Sequence, residues 1–146
     1  MFIEGMLPKA RERLVTIADD VPLIQAAKLL QAGSELVIVC DSAGVLVGVI
    51  TNTDIVAQIS RCQGASCVTE AESVMTREVV LCEANDLLQD VWTRMKGRGL
   101  KNVPVVDHDS RPLGLLHARD ILEVLLRKSE SDEALLRDYV MGVGYR

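Results

Sequence analysis

Apolar residues along the chain alternate between the spacing of a helix and the spacing of a strand. After a short apolar segment at 15–17, four residues follow the i, i+3, i+4, i+7 pattern of an amphipathic helix: Leu23, Ala26, Ala27 and Leu30. Residues 36–40 form a continuous apolar run, which is typical of a buried strand. A turn at 41–44, a return strand at 45–50 and a helix from 51 to about 61 complete a predicted β-α-β-β-α unit.

The same order of elements occurs a second time. The second helix carries the matching apolar stripe: Leu88, Val91, Trp92 and Met95. Residues 47–55 read V-G-V-I-T-N-T-D-I and residues 113–121 read L-G-L-L-H-A-R-D-I, so that Gly48 pairs with Gly114 and Asp54 with Asp120 at an offset of 66. Upstream of the buried strand the offset is 65. A repeat of this length predicts two copies of one unit, related by a pseudo-two-fold axis with a cleft between them.

The second copy is predicted to contain the following elements: a strand at 79–81, a helix at 86–96, a break at 97–99, strands at 103–106 and 113–116, and a helix at 119–128. In the first copy, Asp19 or Asp20 is expected to cap the helix, with Pro22 in its first turn. Pro104 within a strand predicts an edge position, or a place where the backbone carbonyl is used.

The predicted domain organisation follows from these elements. It has five parts: a lead-in at 1–13 with a short helix after Pro8, the first repeat at 14–61, a linker at 62–72, the second repeat at 73–129, and a tail at 130–146 with a short helix at 132–141.

Composition limits the classes of function. At 146 residues and 49% apolar content, the chain can bury a core without disulfides or metal. Sixteen basic and 21 acidic residues give a net charge of −5, so a nucleic-acid partner is not expected. The apolar runs are too short to span a membrane, and the first residues do not read as a secretory signal. The expected location is therefore the cytoplasm, with no membrane partner.

Cys62 and Cys67 lie close together in the linker and suggest a redox pair or half of a metal site. The two histidines, His108 and His117, have no matching ligand spacing, so we expect reduced thiols and no metal. A thiol-responsive regulator remains a weaker alternative. No nucleophile–base pair or phosphate-binding loop is present in the sequence, so catalytic residues are not expected and the chain is not predicted to be an enzyme.

The duplicated pattern G-[VL]-[IL]-x-x-x-D-I, preceded by an apolar strand ending in Asp and an Ala-containing helix, resembles the CBS domain. S-V-M-T-R-E-V-V at 73–80 is similar to the usual opening of such a repeat. Two tandem copies over about 14–128 resemble a CBS pair, or Bateman module, here expected to stand alone. The resemblance implies an α/β (α+β) fold of two β-α-β-β-α repeats that pack through their sheets. It also implies a homodimer that binds an adenosine-containing ligand and signals to an unidentified protein partner.

In this family the clefts between repeats bind AMP, ADP, ATP, and sometimes NAD or S-adenosylmethionine; no cofactor is required. Thr51 and Asp54 fit such a site, because a carboxylate accepts the two hydroxyls of a ribose and helix-start N–H groups suit phosphate. The same two residues also fit a simple helix cap that needs no ligand. Gly48, just upstream, allows close approach of a ligand or another backbone segment.

The full set of predicted ligand-binding residues is Val37, Thr51, Asp54, Thr76, Lys101, Asn102, Val103, Pro104, His117, Arg119 and Asp120. Most of the polar and cationic members belong to the second repeat, whereas the matching first-repeat residues Glu35 and Leu36 offer no cation. We therefore expect at least one competent site, built mainly on the second repeat, although phosphate contacts can cross between repeats.

A ligand-free dimerisation or protein-interaction module is the alternative function. In that case the clefts would be empty, and the C-terminal tail would dock a partner through Leu135, Leu136, Tyr139, Val140 and Met141.

Overall fold

The computed structural model describes residues 1–61 and 68–128. The first part contains a 3-10 helix and six regular elements: Ile3–Met6, then α1 Leu7–Glu12, β1 Thr16–Ala18, α2 Leu23–Gln31, β2 Val37–Cys40, β3 Leu46–Ile50 and α3 Asn52–Arg61. The second part contains a 3-10 helix at Ala71–Ser73, then β4 Cys82–Glu83, α4 Leu88–Arg98, β5 Asn102–Val106 and β6 Pro112–His117. A final helix, α5, covers residues 118–128.

The two repeats build two sheets of the same topology. In each, a parallel pair is followed by an antiparallel hairpin, in the orders β1-β2-β3 and β4-β5-β6. Gly48 lies opposite Val39 and Gly114 lies opposite Val105, and both hairpins shift register one residue after that pair. The predicted fold of two β-α-β-β-α repeats is therefore confirmed, and the structure adds an irregularity at the same point of each hairpin.

The buried apolar residues form three clusters. One lies within each repeat, where the helix stripes meet the sheet: Leu23, Ala26 and Leu30 in the first, Leu88, Val91 and Met95 in the second. The third cluster draws Leu36, Ile38 and Val49 from the first repeat and Leu115 from the second. A backbone hydrogen bond from Leu46 N–H to the Ser110 carbonyl, at 2.9 Å, joins the two hairpins. The repeats thus meet through their sheets and share an apolar interface.

Each repeat is completed by the segment that precedes the other one in sequence. The N-terminal residues pack on the second repeat, where the Ile3 and Glu4 N–H groups donate to the Asp86 and Ala84 carbonyls at 2.9 and 2.8 Å. The segment after the linker packs on the first repeat, where Val49 and Thr76 exchange two backbone hydrogen bonds of 3.0 and 2.8 Å. This exchange brings residues distant in sequence to the start of α3 and of α5.

The predicted cap of α2 is wrong. Pro22, not Asp19 or Asp20, occupies the N-cap position, and no side chain caps the helix. The Leu23 N–H donates instead to the Thr69 carbonyl at 2.7 Å. The linker backbone therefore supplies the acceptor that an aspartate would have given, and the extended conformation of Pro22 leads directly into the helix.

The strand predicted at 79–81 is also wrong, because β4 is formed by Cys82–Glu83. Val79 packs in the apolar cluster between the sheets, and the Leu81 carbonyl accepts a hydrogen bond from Arg94 Nη1 at 3.1 Å. Val79 thus packs in the interface between the repeats and Val80 against the core of the second repeat, and neither residue pairs in the sheet. The helix predicted to end at 96 continues for two more residues, since α4 ends at Arg98, and Gly99, within the predicted break, takes a left-handed φ of 65°.

Pro104 lies in β5, the central strand of its sheet, so the predicted edge position is wrong. The alternative use of its carbonyl fits the geometry, because Cys82 Sγ lies 3.7 Å from the Pro104 oxygen. Burial raises the pKa of the Cys82 thiol to about 12, which keeps it protonated and unreactive near neutral pH. Cys62, Cys67 and the predicted helix at 132–141 lie outside the described residues.

Candidate functional site

Asp54 stands in the first turn of α3 and is held by three hydrogen bonds. Its Oδ2 accepts the Thr51 N–H at 2.9 Å and the Thr51 hydroxyl at 3.3 Å. Its Oδ1 accepts the Thr76 hydroxyl at 2.7 Å, from the segment that packs on this repeat. The carboxylate is therefore oriented from two sides. It caps its own helix as the simpler interpretation expects, and it remains only partly buried.

A cavity of about 570 Å³ opens beside this carboxylate, within the size range of small-molecule sites. We call it the repeat-one cleft. Its apolar walls are Leu36, Val49, Val79, Val80 and Leu100. Its polar lining is Thr51, Asp54, Thr76, Glu78, Arg98 and Asn102. The residues from 98 onward belong to the second repeat, so the cleft lies between the two repeats.

A second cavity of about 660 Å³ adjoins the repeat-one cleft and shares Leu36, Thr51, Leu100 and Asn102 with it. Asn52 and Thr53, the first residues of α3, face this adjoining cavity together with Lys101. Free backbone N–H groups at a helix start and a nearby ammonium are the groups that attract anions.

Asp120, the equivalent of Asp54, has a different environment. Arg13 donates to both carboxylate oxygens, from Nε to Oδ2 at 2.6 Å and from Nη2 to Oδ1 at 3.0 Å. The Asp120 side chain is only 6% exposed. The hydrogen bonds from Arg13 hold the pKa of Asp120 below its usual range, and the same contact raises the pKa of Arg13. Asp120 is therefore an ionised carboxylate already paired with a guanidinium of its own chain.

His117 links the second repeat to the first. Its Nδ1 accepts the Arg119 N–H at 3.0 Å and so caps the start of α5, which assigns the ring hydrogen to Nε2. That nitrogen lies 2.9 Å from Glu35 Oε2, and Asn102 Nδ2 donates to the same oxygen at 3.1 Å. The hydrogen bond from Asn102, followed by the one from His117, lowers the pKa of Glu35. Glu35 is not among the predicted ligand-binding residues because it offers no cation, yet it joins the two repeats.

The predicted site residues separate into three groups. Thr51, Asp54, Thr76 and Asn102 line the repeat-one cleft, and Lys101 lines the adjoining cavity. His117, Arg119 and Asp120 lie at the start of α5, where His117 and Asp120 contact Glu35 and Arg13. Val37, Val103 and Pro104 are buried within the sheets.

The expected grouping of Thr76 with the second repeat is corrected by this geometry, because the exchange of segments carries Thr76 to Asp54. Three charged residues near the two aspartates were missed from the sequence: Arg13, Glu78 and Arg98. The 65-residue offset that relates Arg13 to Glu78 was the available signal.

Within residues 1–61 and 68–128, no group of three or more His, Cys, Asp or Glu side chains is arranged to hold a metal ion. In the same part of the chain, no helix has the length and apolar character needed to cross a membrane.

The fold and the cleft together define a pair of β-α-β-β-α repeats with a cavity between them, which has apolar walls and several polar side chains. The family model of the CBS domain matches residues 7–61 and 71–127, and the chain belongs to this family.

Solved structures support the same assignment. The CBS-domain containing protein ATU1752 from Agrobacterium tumefaciens is 29% identical, with a TM-score of 0.70 over 84% of this chain and 91% of that one. The CBS domain pair of protein MJ0100, solved in complex with 5′-methylthioadenosine and S-adenosyl-L-methionine, is 26% identical, with a TM-score of 0.69 over 88% of this chain and 98% of that one. The recognition of a tandem CBS pair is thereby confirmed.

Curated relatives are longer proteins. An L-aspartate semialdehyde sulfurtransferase from Methanosarcina acetivorans is 31% identical over 117 residues, which is 79% of this chain and 22% of that protein. The uncharacterized protein MJ1404 from Methanocaldococcus jannaschii is 26% identical over 112 residues, 76% of this chain and 26% of that protein. The chain thus spans about a quarter of the length of the curated relatives it matches.

Proposed function

We propose that this CBS pair is a regulatory sensor that binds an adenosine-containing molecule in the repeat-one cleft and signals to a protein partner. One observation carries the proposal: Asp54 is a partly exposed carboxylate, oriented by Thr51 and Thr76, at the edge of a cavity with apolar walls. The proposal gives the chain a regulatory role and no chemistry of its own.

The cleft offers a distinct environment to each part of such a ligand. The adenine ring lies against the apolar walls formed by Leu36, Val49 and Val79. The ribose hydroxyls donate to Asp54, which has acceptor capacity beyond its present hydrogen bonds. The 5′ group then points toward the start of α3 and the adjoining cavity, where Lys101 lies. The bound 5′-methylthioadenosine and S-adenosyl-L-methionine of the MJ0100 structure support an adenosine ligand for this chain as well.

The charges of the cleft favour a ligand with few negative charges. Asp54 and Glu78 supply two carboxylates, against the single guanidinium of Arg98 in the same cavity. We expect AMP or S-adenosylmethionine to bind more tightly than ATP, because the triphosphate brings charge that Arg98 and Lys101 cannot balance beside Glu78.

Thermal melts with AMP, ADP, ATP, NAD and S-adenosylmethionine test this proposal. A ligand at about 100 times its Kd adds roughly 2.7 kcal/mol of stability and raises the Tm by several degrees. The Asp54→Asn variant keeps the size of the side chain and should lose this shift, whereas Asp120→Asn, as the matched control, should keep it. A well-folded protein that responds to none of the five compounds would refute the sensor.

The second candidate function is a protein-interaction module, and a specific surface favours it. Val56 and Ile59 on α3 are 65% and 59% exposed, and Leu122 and Leu126 on α5 are 44% and 53% exposed. Val56 and Leu122 are equivalent residues of the two repeats, at an offset of 66. Paired apolar helix faces of this kind support a homodimer, whether or not the cleft binds a ligand.

A further inference from the structure

Strand register identifies which residues of the two repeats are equivalent near the clefts. Ile17 pairs with Val39 in the first sheet and Cys82 pairs with Val105 in the second, so position 17 corresponds to position 82. The same offset of 65 relates Leu14 to Val79, and both of these residues pack in the apolar cluster between the sheets. One residue earlier, the offset relates Arg13 to Glu78.

These two equivalent positions carry opposite charges and have opposite relationships to the neighbouring aspartate. Arg13 reaches Asp120 with two hydrogen bonds of 2.6 and 3.0 Å. Glu78 lines the same cavity as Asp54. Two carboxylates repel each other, so Glu78 cannot close over Asp54 as Arg13 closes over Asp120.

The Arg13 guanidinium covers both oxygens of Asp120 and leaves that side chain 6% exposed, whereas Asp54, although hydrogen-bonded by Thr51 and Thr76, still lines an open cavity. A guanidinium presents two parallel N–H donors to a carboxylate. The two hydroxyls of a ribose present two O–H donors to a carboxylate in a similar way. Because Arg13 belongs to the same chain, its contact with Asp120 incurs no loss of translational freedom, whereas a free ligand incurs that loss on binding. A ligand therefore competes with Arg13 at Asp120, whereas no guanidinium within residues 1–61 and 68–128 is hydrogen-bonded to Asp54.

We propose that Arg13 occupies the position at Asp120 where a ligand would bind, and that the residues at positions 13 and 78 determine which of the two aspartates, Asp54 or Asp120, accepts a ligand. The protein then binds one adenosine-containing molecule per chain, at Asp54, and the second site opens only when Arg13 is displaced. The class of ligand in this inference rests on the proposed function above; the occlusion of Asp120 does not.

Isothermal titration with AMP and with S-adenosylmethionine tests the occlusion. Wild type should bind one molecule per chain, and Asp54→Asn should bind none. The Arg13→Ala/Asp54→Asn double variant should regain about one molecule per chain, now at Asp120. The Arg11→Ala/Asp54→Asn variant is the matched control, because it removes an arginine two residues away on the same segment, and it should bind none.

The reciprocal substitution tests the same idea without disturbing Asp120. Glu78→Arg should place a guanidinium beside Asp54, close the repeat-one cleft and weaken ligand binding at least tenfold. Glu78→Gln, which cannot form that ion pair, should retain binding. This second test remains decisive if loss of Arg13 prevents the double variant from folding.

The outcomes separate the inference from the function on which it rests. If wild type binds and Asp54→Asn still binds one molecule with Arg13 in place, the occlusion is refuted. It is also refuted if a folded Arg13→Ala/Asp54→Asn variant binds neither compound. If wild type binds neither compound but the double variant binds one, the proposed role of Asp54 fails and the occlusion by Arg13 stands.

Discussion

Ala10 of helix α1 lies directly against Gly114 of strand β6. A Cβ atom added to Gly114 would stand 2.7 Å from Ala10 Cβ and 2.9 Å from the Ala10 carbonyl carbon. Neither of these atoms can move without moving the α1 backbone. The missing side chain at 114 is thus what allows the N-terminal helix to pack on the second repeat, and with it the close approach of Arg13 to Asp120.

Gly114→Ala should therefore lower the free energy of unfolding by about 1–3 kcal/mol, the usual cost of overpacking a tight contact. This corresponds to a Tm lower by roughly 3–10 °C. Urea denaturation, followed by the fluorescence of the single tryptophan Trp92 in the second repeat, measures the change.

Gly97→Ala is the matched control for this substitution. Gly97 lies inside α4, and a Cβ there would meet nothing within 4 Å. Replacing a helical glycine by alanine should stabilise the protein by about 0.5–1 kcal/mol. Equal effects of the two substitutions would contradict the tight contact at Gly114.

Gly48 has the corresponding role in the first repeat, but its neighbours differ. A Cβ there would stand 2.6 Å from the flexible Met75 Sδ and 2.9 Å from the Thr76 carbonyl oxygen. Met75 can turn away, whereas the Thr76 backbone must shift and take its hydroxyl from Asp54. Gly48→Ala should thus weaken ligand binding in the repeat-one cleft several-fold, and titration with the best ligand of the thermal screen measures the loss. An unchanged Kd would show that the position of Thr76 does not matter.

The Arg13–Asp120 pair should make stability depend on acid. The hydrogen bonds from Arg13, with smaller contributions from the charges of Arg13 and Lys9, hold the pKa of Asp120 below its ordinary value of 3.8 in the folded state. The folded state therefore binds fewer protons than the unfolded state. The stabilisation is complete well above pH 3.8 and is lost as the pH falls through the folded pKa.

Arg13→Ala should accordingly cost about 1–3 kcal/mol at pH 7, since it leaves a buried carboxylate without its partner. The difference from wild type should shrink between about pH 5 and pH 3, as Asp120 becomes protonated. Glu12→Gln serves as the control, because the Lys9–Glu12 pair is exposed and 3.9 Å long, and it should follow wild type closely. A difference that stays constant with pH would contradict the ionised pair.

The repeat units could be predicted from the sequence because each repeat shows its own periodicity of apolar residues. The 66-residue offset aligns the elements of the two repeats, so the assignment of each repeat supports that of the other. Contacts between segments far apart in sequence could not be predicted. Arg13 and Asp120 are 107 residues apart, and nothing local to either residue indicates the other. The assignment of Thr76 to the second repeat is wrong for the same reason: residue 76 lies within the predicted repeat at 73–129, whereas its hydroxyl contacts Asp54 of the first repeat.

Two predictions from local sequence patterns are also wrong, because contacts with segments distant in sequence replace the expected local ones. Asp19 and Asp20 fit a helix cap in sequence, but the Thr69 carbonyl supplies the acceptor for Leu23. The apolar residues at 79–81 fit a strand, but Val79 packs in the interface between the repeats and Val80 packs on the core of the second repeat. Both differences arise at segments that cross from one repeat to the other.

The hydroxyl of Thr76 should matter for ligand binding more than its methyl group. Thr76 Oγ1 donates to Asp54 Oδ1 at 2.7 Å and fixes the orientation of the carboxylate that we propose receives the ribose. Thr76→Val keeps the shape and removes this donor, so the Kd should rise about tenfold, or roughly 1.4 kcal/mol. Thr76→Ser keeps the donor and should bind within about threefold of wild type. Equal affinity of the two variants would remove Thr76 from the site.

The exposed faces of α3 and α5 should carry the proposed homodimer. Val56 and Leu122 occupy equivalent positions of the two repeats, and both are exposed. A two-fold dimer that buried either side chain in its interface would be stabilised by roughly 1.5–3 kcal/mol of association free energy for each side chain removed from water. A lysine at either position would instead bury a charge or prevent contact.

Val56→Lys and Leu122→Lys should each convert the dimer to a monomer in light scattering after gel filtration. Their melting curves at low protein concentration should be unchanged. Val68→Lys is the control, since Val68 is 73% exposed and lies on neither helix, and it should leave the mass unaltered. A wild-type mass of one chain at high concentration would refute the homodimer, and a dimer that survives both lysines would place its interface elsewhere.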